Sequence, residues 1–269
     1  MELRHLIFRD FKRPPFIFYC LFVFLIIISV SVRVTALDGS NTHLETSQWW
    51  LSQAHPDALR VLKFWFEEWD RDIERGGIGR YNEKWFPHGP AGVRGSRDVD
   101  QASREQFLEL FKSVTAGQHR WNIEENPFDN LAYIILTDQL SRNMFRGSAS
   151  AYKHDALGRA AVDLNLKGKL YEHYFTGYQK LFVVFPLMHH ENLDSQQRSI
   201  EYLKMLNESE QEPYAFLKAL EKGFQHYQII HMFGRFPHRN ALLGRENTEL
   251  ENEYLRRQDD VGFINGGKW

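Results

Sequence analysis

The sequence predicts an all-α fold: a compact multi-helix domain of antiparallel helix pairs, preceded by one N-terminal transmembrane or signal-anchor helix. Three observations carry that expectation. From about Asp57 onward, apolar residues recur at spacings of three and four, the period of a helix with one buried face. No alternating apolar–polar pattern, which a half-buried strand needs, runs for more than a few residues. A separate apolar run near the N-terminus stands apart from everything that follows. No repeat of fixed period is visible, although the segment lengths suit paired antiparallel helices.

Composition supports a packed body. Apolar residues make up 43% of the 269 and aromatic residues 14%, which is ample core material and excludes a disordered chain. A formal charge of −2 supplies no net field for nucleic acid, so none is expected as a partner. The one cysteine, Cys20, lies inside the N-terminal apolar run, which excludes an intrachain disulfide framework and a cysteine-based zinc site.

The N-terminal segment comes first in order. Arg4, Arg9, Lys12 and Arg13 precede an uninterrupted apolar run from Phe16 to Val32, closed by Arg33. That length is at the short end of the ~17–25 residues that span a bilayer. A basic flank on the N-terminal side keeps that end cytoplasmic and sends the rest across. The expectation is a single-pass anchor over 1–37 with a lumenal or extracellular body. The alternative is secretion after cleavage near Val34-Thr35-Ala36. Asn207-Glu208-Ser209 is a glycosylation sequon that would suit either. Residues 38–56 read as a linker, and 57–269 as the helical domain.

Within that domain, Ala58, Leu62, Trp65 and Trp69 share one face of a first helix. The Gly- and Pro-rich stretch between Arg71 and Asp98 reads as a long loop. Further helices are predicted over 100–115, 128–145, 170–188, 193–206 and 214–233, the last stopped by Gly234. Thr248 and Glu251 form a capping box that opens a final helix.

Polar residues on apolar stripes mark the candidate site. The segment Leu131–Phe145 is apolar nearly all round, so Asp138 and Arg142 are drawn inside, where charges must be paired. Arg146 shares a face with Arg142, and a second carboxylate or a ligand is wanted for it. His231 continues the stripe of the helix that ends at Gly234. Beyond it lies the donor-rich stretch Gly234-Arg235-Phe236-Pro237-His238-Arg239-Asn240. Pro186-Leu187-Met188-His189-His190-Glu191 adds three polar groups after an apolar run.

These segments resemble a known family. Leu136-Thr137-Asp138-Gln139-Leu140-Ser141-Arg142-Asn143-Met144-Phe145-Arg146-Gly147 resembles the LLDQFPRN-x-[FY]-RG signature of the bacterial domain-of-unknown-function 924 family. Pro186 to Glu191 is similar to its P-[FM]-x-H-[SH]-E element. Gly234 to Asn240, with Leu243-Gly244-Arg245 and Thr248-Glu249, is similar to its close, and Val61 to Phe66 to its VL-x-FWF opening. The likeness spans roughly 57–257, with four motifs in order. It implies a compact helical fold related to tetratricopeptide-like helix pairs, and no particular activity. Ser141 departs from the proline usual in the family, and the N-terminal segment and Gly-rich loop are additions to it.

Two functional readings follow. In one, Arg142, Arg146, Arg235, Arg239 and Arg245, with Asp138, Asn143 and Asn240, bind a small anionic ligand, a carboxylate or a phosphate. His190, His231 and His238 then serve proton transfer, and Glu191 orientation or base chemistry. In the other, the polar cluster only locks helix ends together in a protein-binding scaffold. No metal site is expected: His226 and His231 lack the i, i+4 spacing of a zincin pair, and no Glu-x-x-His pair occurs. Without a Gly-x-Ser-x-Gly elbow or a cysteine in the body, nucleophilic catalysis has no support, and no cofactor is named.

Overall fold

The computed structural model describes residues 39–67, 82, 85, 89–208 and 216–261. Helices α1 (Gly39–Gln53) and α2 (Pro56–Phe66) open the described chain. Pro56 presets the first helical turn of α2, and His55 Nδ1 accepts the otherwise unpaired Asp57 N–H at 3.1 Å. Helix α3 (Gly89–Thr115) is long, and α4 (Pro127–Ile134) follows a loop, its start capped by the Asn126 side chain. The same helix continues as a π-helical stretch, Ile135–Leu140, then as α5 (Ser141–Met144). Next come α6 (Asp155–Lys167), α7 (Leu170–Tyr174), α8 (Gly177–Met188) and α9 (Leu193–Asn207). Finally α10 (Leu217–Phe233) and α11 (Glu249–Val261) close the described chain. Among the described residues every regular element is helical.

Consecutive helices pack on one another. Helix α9 lies against both α8 and α10, α4 against α2 and α6, and α3 against α5. One core runs through them, built on Leu62, Trp65, Phe107, Leu131, Ile135, Phe182 and Leu203. Phe182 is its aromatic hub, with its ring 4.9–5.5 Å from those of Trp65, Phe66, Trp85 and Phe185, in edge-to-face geometry. A smaller cluster of Ile229, Ile230 and Phe236 sits where α10 meets the C-terminal loop.

Buried polar groups fix the loops. Asp129 accepts backbone N–H groups from His55 at 2.8 Å and Asn122 at 2.9 Å, which ties two loops to the start of α4. Asn130 donates to Ile123 and Ala161 carbonyls, and Asn165 donates to Asn130, which seats α6.

Four features differ from the sequence reading. The Gly-rich stretch expected as loop carries the start of α3 at Gly89, and residues 71–81 lie outside the described residues. The stretch 38–56, expected as a linker, carries α1. The helix expected over 170–188 is two, α7 and α8, because Thr176 and Gln179 form a capping box that starts a new helix. Helix α6 was not foreseen, since its buried stripe is Gly158, Ala161, Val162 and Asn165, too small and polar to register as an apolar period. The expected N-terminal membrane segment lies outside the described residues; among those described, no helix is long and apolar enough to cross a membrane.

Candidate functional site

A π turn inside a long helix inserts an extra residue and re-aims the side chains around it. Here it spans Ile135–Leu140, with the Ser141 N–H reaching back to the Leu136 carbonyl. Asp138 sits in that turn with its side chain 1% exposed. Helix α6 comes close because residue 158 is glycine: a Cβ there would lie 3.2 Å from Thr137 Oγ1 and 3.6 Å from Asp138 Cβ.

Three partners hold the Asp138 carboxylate, among them Gln139, whose Nε2 donates to Oδ2 at 2.6 Å. Arg142 Nη1 lies 2.9 Å from Oδ1, and His189 Nδ1 lies 3.0 and 2.9 Å from Oδ1 and Oδ2. Burial by itself would raise the Asp138 pKa, but the charge of Arg142 and the hydrogen bonds from His189 and Gln139 outweigh it and hold it at about 2. An ionised carboxylate accepts only, so His189 carries its proton on Nδ1 and donates it to Asp138. Burial, with the charges of Arg142 and Arg239, lowers the His189 pKa despite Asp138, so the ring is neutral and Nε2 holds a free lone pair. Gln196 presents this corner by donating Nε2 to the carbonyls of Met188 and His190, each at 2.7 Å.

Arg142 also forks Asp155, the first residue of α6, through Nη1 at 3.0 Å and Nη2 at 2.9 Å. Beside that pair opens a cleft of about 510 Å³. His189, His190, Glu191 and Asp155 line it, with Tyr152, Lys153, Arg159 and Arg239 on its cationic side. Glu191 is forked by Arg245 at 2.6 and 2.9 Å and accepts the Phe236 N–H at 2.8 Å. Burial acts to raise its pKa, but those bonds lower it, so it too is ionised.

Arg239 differs from the other arginines. Its side chain is 8% exposed, and the nearest carboxylate oxygen, Asp155 Oδ2, lies 3.8 Å away, beyond hydrogen-bond reach. Its guanidinium lies 4.5 Å from the ring centres of both Tyr152 and Phe236, and Nε has no hydrogen-bond partner. Burial, then the charge of Arg142, pushes its pKa down to about 10, so it remains charged at neutral pH. Arg159 and Lys153 have no ion-pair partner among the described residues. Arg142 is shared between Asp138 and Asp155, and Arg245 matches Glu191; counting Lys153, Arg159 and Arg239, five cationic groups at and beside the cleft face three carboxylates, which leaves an excess of positive charge.

The other expected site residues fall in several places. Arg146 forks Asp100 at 2.6 and 2.9 Å and reaches Asn143 Oδ1 at 3.0 Å, on a half-exposed face. Arg235 forks Glu251 at 2.7 and 2.8 Å, which locks the C-terminal loop onto α11, and Asn240 donates to Asn247 at 2.8 Å within that loop. His190 is on the cleft, its Nδ1 2.8 Å from Ser195 Oγ. His238 packs on the Phe236 ring, and His231 is exposed and stacked on Tyr227, away from the cleft. Sequence reading missed His189, Tyr152, Asp155 and Arg159. The one signal for them was that Asp138 needed a donor besides Arg142, and the polar run at 189–191 offered one.

Comparison with known proteins now bears on these residues. The family model described as bacterial protein of unknown function (DUF924) matches residues 61–259. The chain belongs to that family. A solved structure of a protein of unknown function from Agrobacterium tumefaciens, ATU0120, is similar at 26% identity and a TM-score of 0.60. The similarity covers 74% of this chain and 97% of that one. None of the curated proteins matches. The matched region of DUF924 holds the whole Asp138–Arg142–His189 group, the cleft and Arg239.

Buried neutral histidines set a pH dependence. Burial, foremost, holds His226 at about 3 and His238 at about 4, both below the ordinary 6.5. Unfolding therefore takes up protons once the pH is below about 6.5, so stability is whole above that value and falls as pH drops toward the folded values. Each such histidine contributes a slope approaching ~1.4 kcal/mol per pH unit in that window. Asp138 adds a further loss only between about 3.8 and about 2. Urea unfolding from pH 7.5 to 5 should show falling stability, with a shallower slope in His238→Gln. An identical slope in the variant would contradict the assignment.

Proposed function

We propose that the cleft binds a small anionic ligand, a phosphate or carboxylate, anchored on Arg239 and flanked by Arg159 and Lys153. The observation that carries this reading is the buried, under-partnered guanidinium of Arg239. A buried cation without a hydrogen-bonded counter-ion is costly, and an anion in the cleft would offset that cost. The fork geometry of arginine suits both oxyanions, and cation–π contacts with Tyr152 and Phe236 hold it in position. His189, oriented by Asp138, lines the same cleft, and its unprotonated nitrogen would serve as a proton acceptor, so proton transfer on the bound ligand is the chemistry this site can support. His190 and Glu191 line the same wall and supply further polar contacts.

A second reading has the helices as tetratricopeptide-like antiparallel pairs serving as an interaction scaffold, with the polar cluster purely structural. The internal forks Arg146–Asp100, Arg235–Glu251 and Arg245–Glu191 favour it for those residues. They do not account for Arg239. We also propose that the apolar run from Phe16 to Val32 holds the domain at a membrane, with the domain on the far side from the basic N-terminal flank; the sequence of that run supports this.

Arg239→Met keeps the apolar stem and removes the charge. In chloride it should melt at or above the wild-type temperature, because a buried charge has been removed. Inorganic phosphate or succinate, at matched ionic strength, should stabilise the wild type and not the variant; at a hundred times Kd the gain is about 2.7 kcal/mol. A variant that is destabilised in chloride yet responds to both anions like wild type would sink the proposal. For the membrane segment, alkaline carbonate extraction should leave the chain in the membrane pellet, and full release to the supernatant would count against it.

A further inference from the structure

Away from the cleft, three side chains from two distant parts of the chain converge at the start of α2. His55 precedes that helix, Asp57 lies in its first turn, and His119 comes from the loop after α3. One ligand atom from each lies within 4.8 Å of the others. Neither histidine nor the aspartate lines the anion cleft.

The local hydrogen bonds explain part of this arrangement. His55 Nδ1 accepts the Asp57 N–H at 3.1 Å, a helix cap, and Arg60 Nη1 lies 3.1 Å from Asp57 Oδ1. They leave His119 unexplained. Its Nε2 is buried and lies 3.3 Å from Asp57 Oδ2, yet it makes no hydrogen bond, so the two atoms are close without being aligned for one. A buried ring nitrogen facing a carboxylate oxygen off the hydrogen-bond line is what two ligands of one cation look like.

Distances agree with that. With bonds of ~2.0–2.2 Å to nitrogen and oxygen, two donors 3.3 Å apart subtend about 105° at an ion, close to tetrahedral. His55 Nδ1 is 4.0 Å from the same Asp57 oxygen, against about 3.4 Å for ideal tetrahedral ligands, so a ring shift of about 0.6 Å brings that pair to ligand spacing, and the two histidine ligand atoms lie within 4.8 Å of each other. Because Nδ1 accepts the Asp57 N–H, it already carries a lone pair rather than a proton, the form that ligates. Giving up that cap costs ~1 kcal/mol, small beside a metal–ligand bond. Side-chain exposures of 32%, 27% and 30% leave room for water at the remaining positions.

We propose that His55, Asp57 and His119 form a binding site for a divalent transition-metal ion of the zinc class. Two imidazoles and one carboxylate select such ions over magnesium or calcium, which prefer all-oxygen shells. The bound ion would clamp the loop after α3 to the start of α2. Sequence spacing does not announce the site, because its ligands come together only through the fold.

The test is a Co2+ titration of the EDTA-stripped, untagged full chain, followed by visible d–d absorption, with thermal melts in Zn2+ and in EDTA. His119→Ala and Asp57→Asn are run beside it, and His231→Ala serves as the exposed-histidine control. Wild type and His231→Ala should bind one equivalent with d–d bands and gain stability in Zn2+. The two ligand variants should melt like wild type in EDTA, bind at least about ten-fold more weakly and lose the gain. Asp57→Asn preserves side-chain shape, so it decides the matter if His119→Ala folds poorly. Equal binding by wild type and Asp57→Asn would overturn the site, and so would no binding by wild type.

Discussion

A carboxylate taken out of water must be matched, and Asp138 is matched by Arg142 and His189, with Gln139 beside them. Arg142, four residues on, is brought to it by the helix itself. His189 is brought to it by the packing of α8 against the π turn, and Arg142 in turn holds Asp155 at the head of α6. One ionised side chain therefore sets the positions of three helices. It also decides which nitrogen of His189 carries the proton, and so what the cleft can do. The closeness of α6 depends on Gly158, since a larger residue would press on Thr137 and Asp138.

The arginines divide by how they are satisfied. Arg146, Arg235 and Arg245 each fork a carboxylate, which accounts for them structurally. Arg142 is shared between two carboxylates. Arg239 is buried between two aromatic rings with its nearest carboxylate oxygen 3.8 Å away. Arginines that fork a carboxylate and an arginine that does not are alike in sequence, and only their hydrogen-bond partners in the fold separate them.

Helix class, the pairing of Asp138 with Arg142, a carboxylate for Arg146 and the Thr248–Glu251 box were all legible in the sequence, because each is a short-range rule: a 3.6 period, an i, i+4 pair, a charge that must be matched, a capping motif. What escaped depended on tertiary contact. Helix α6 hides its buried stripe in small and polar residues, and with it went Asp155 and Arg159. The π turn has no sequence signature, so the choice of His189 over His190 as the Asp138 partner was not readable. His231 shared an apolar stripe on paper, yet it faces outward and stacks on Tyr227. The anchor expected over 1–37 lies outside the described residues.

Ionised Asp138 fixes His189 as a neutral imidazole with Nδ1 protonated and Nε2 unprotonated. Long-range 1H–15N correlation of the histidine side chains, with His189 assigned by its loss in His189→Gln, reads this directly. At pH 7 the account predicts a protonated Nδ1 and an unprotonated Nε2 for His189, and a change of tautomer in Asp138→Asn. An Nε2–H tautomer in the wild type, or a doubly protonated His189 at that pH, would contradict it.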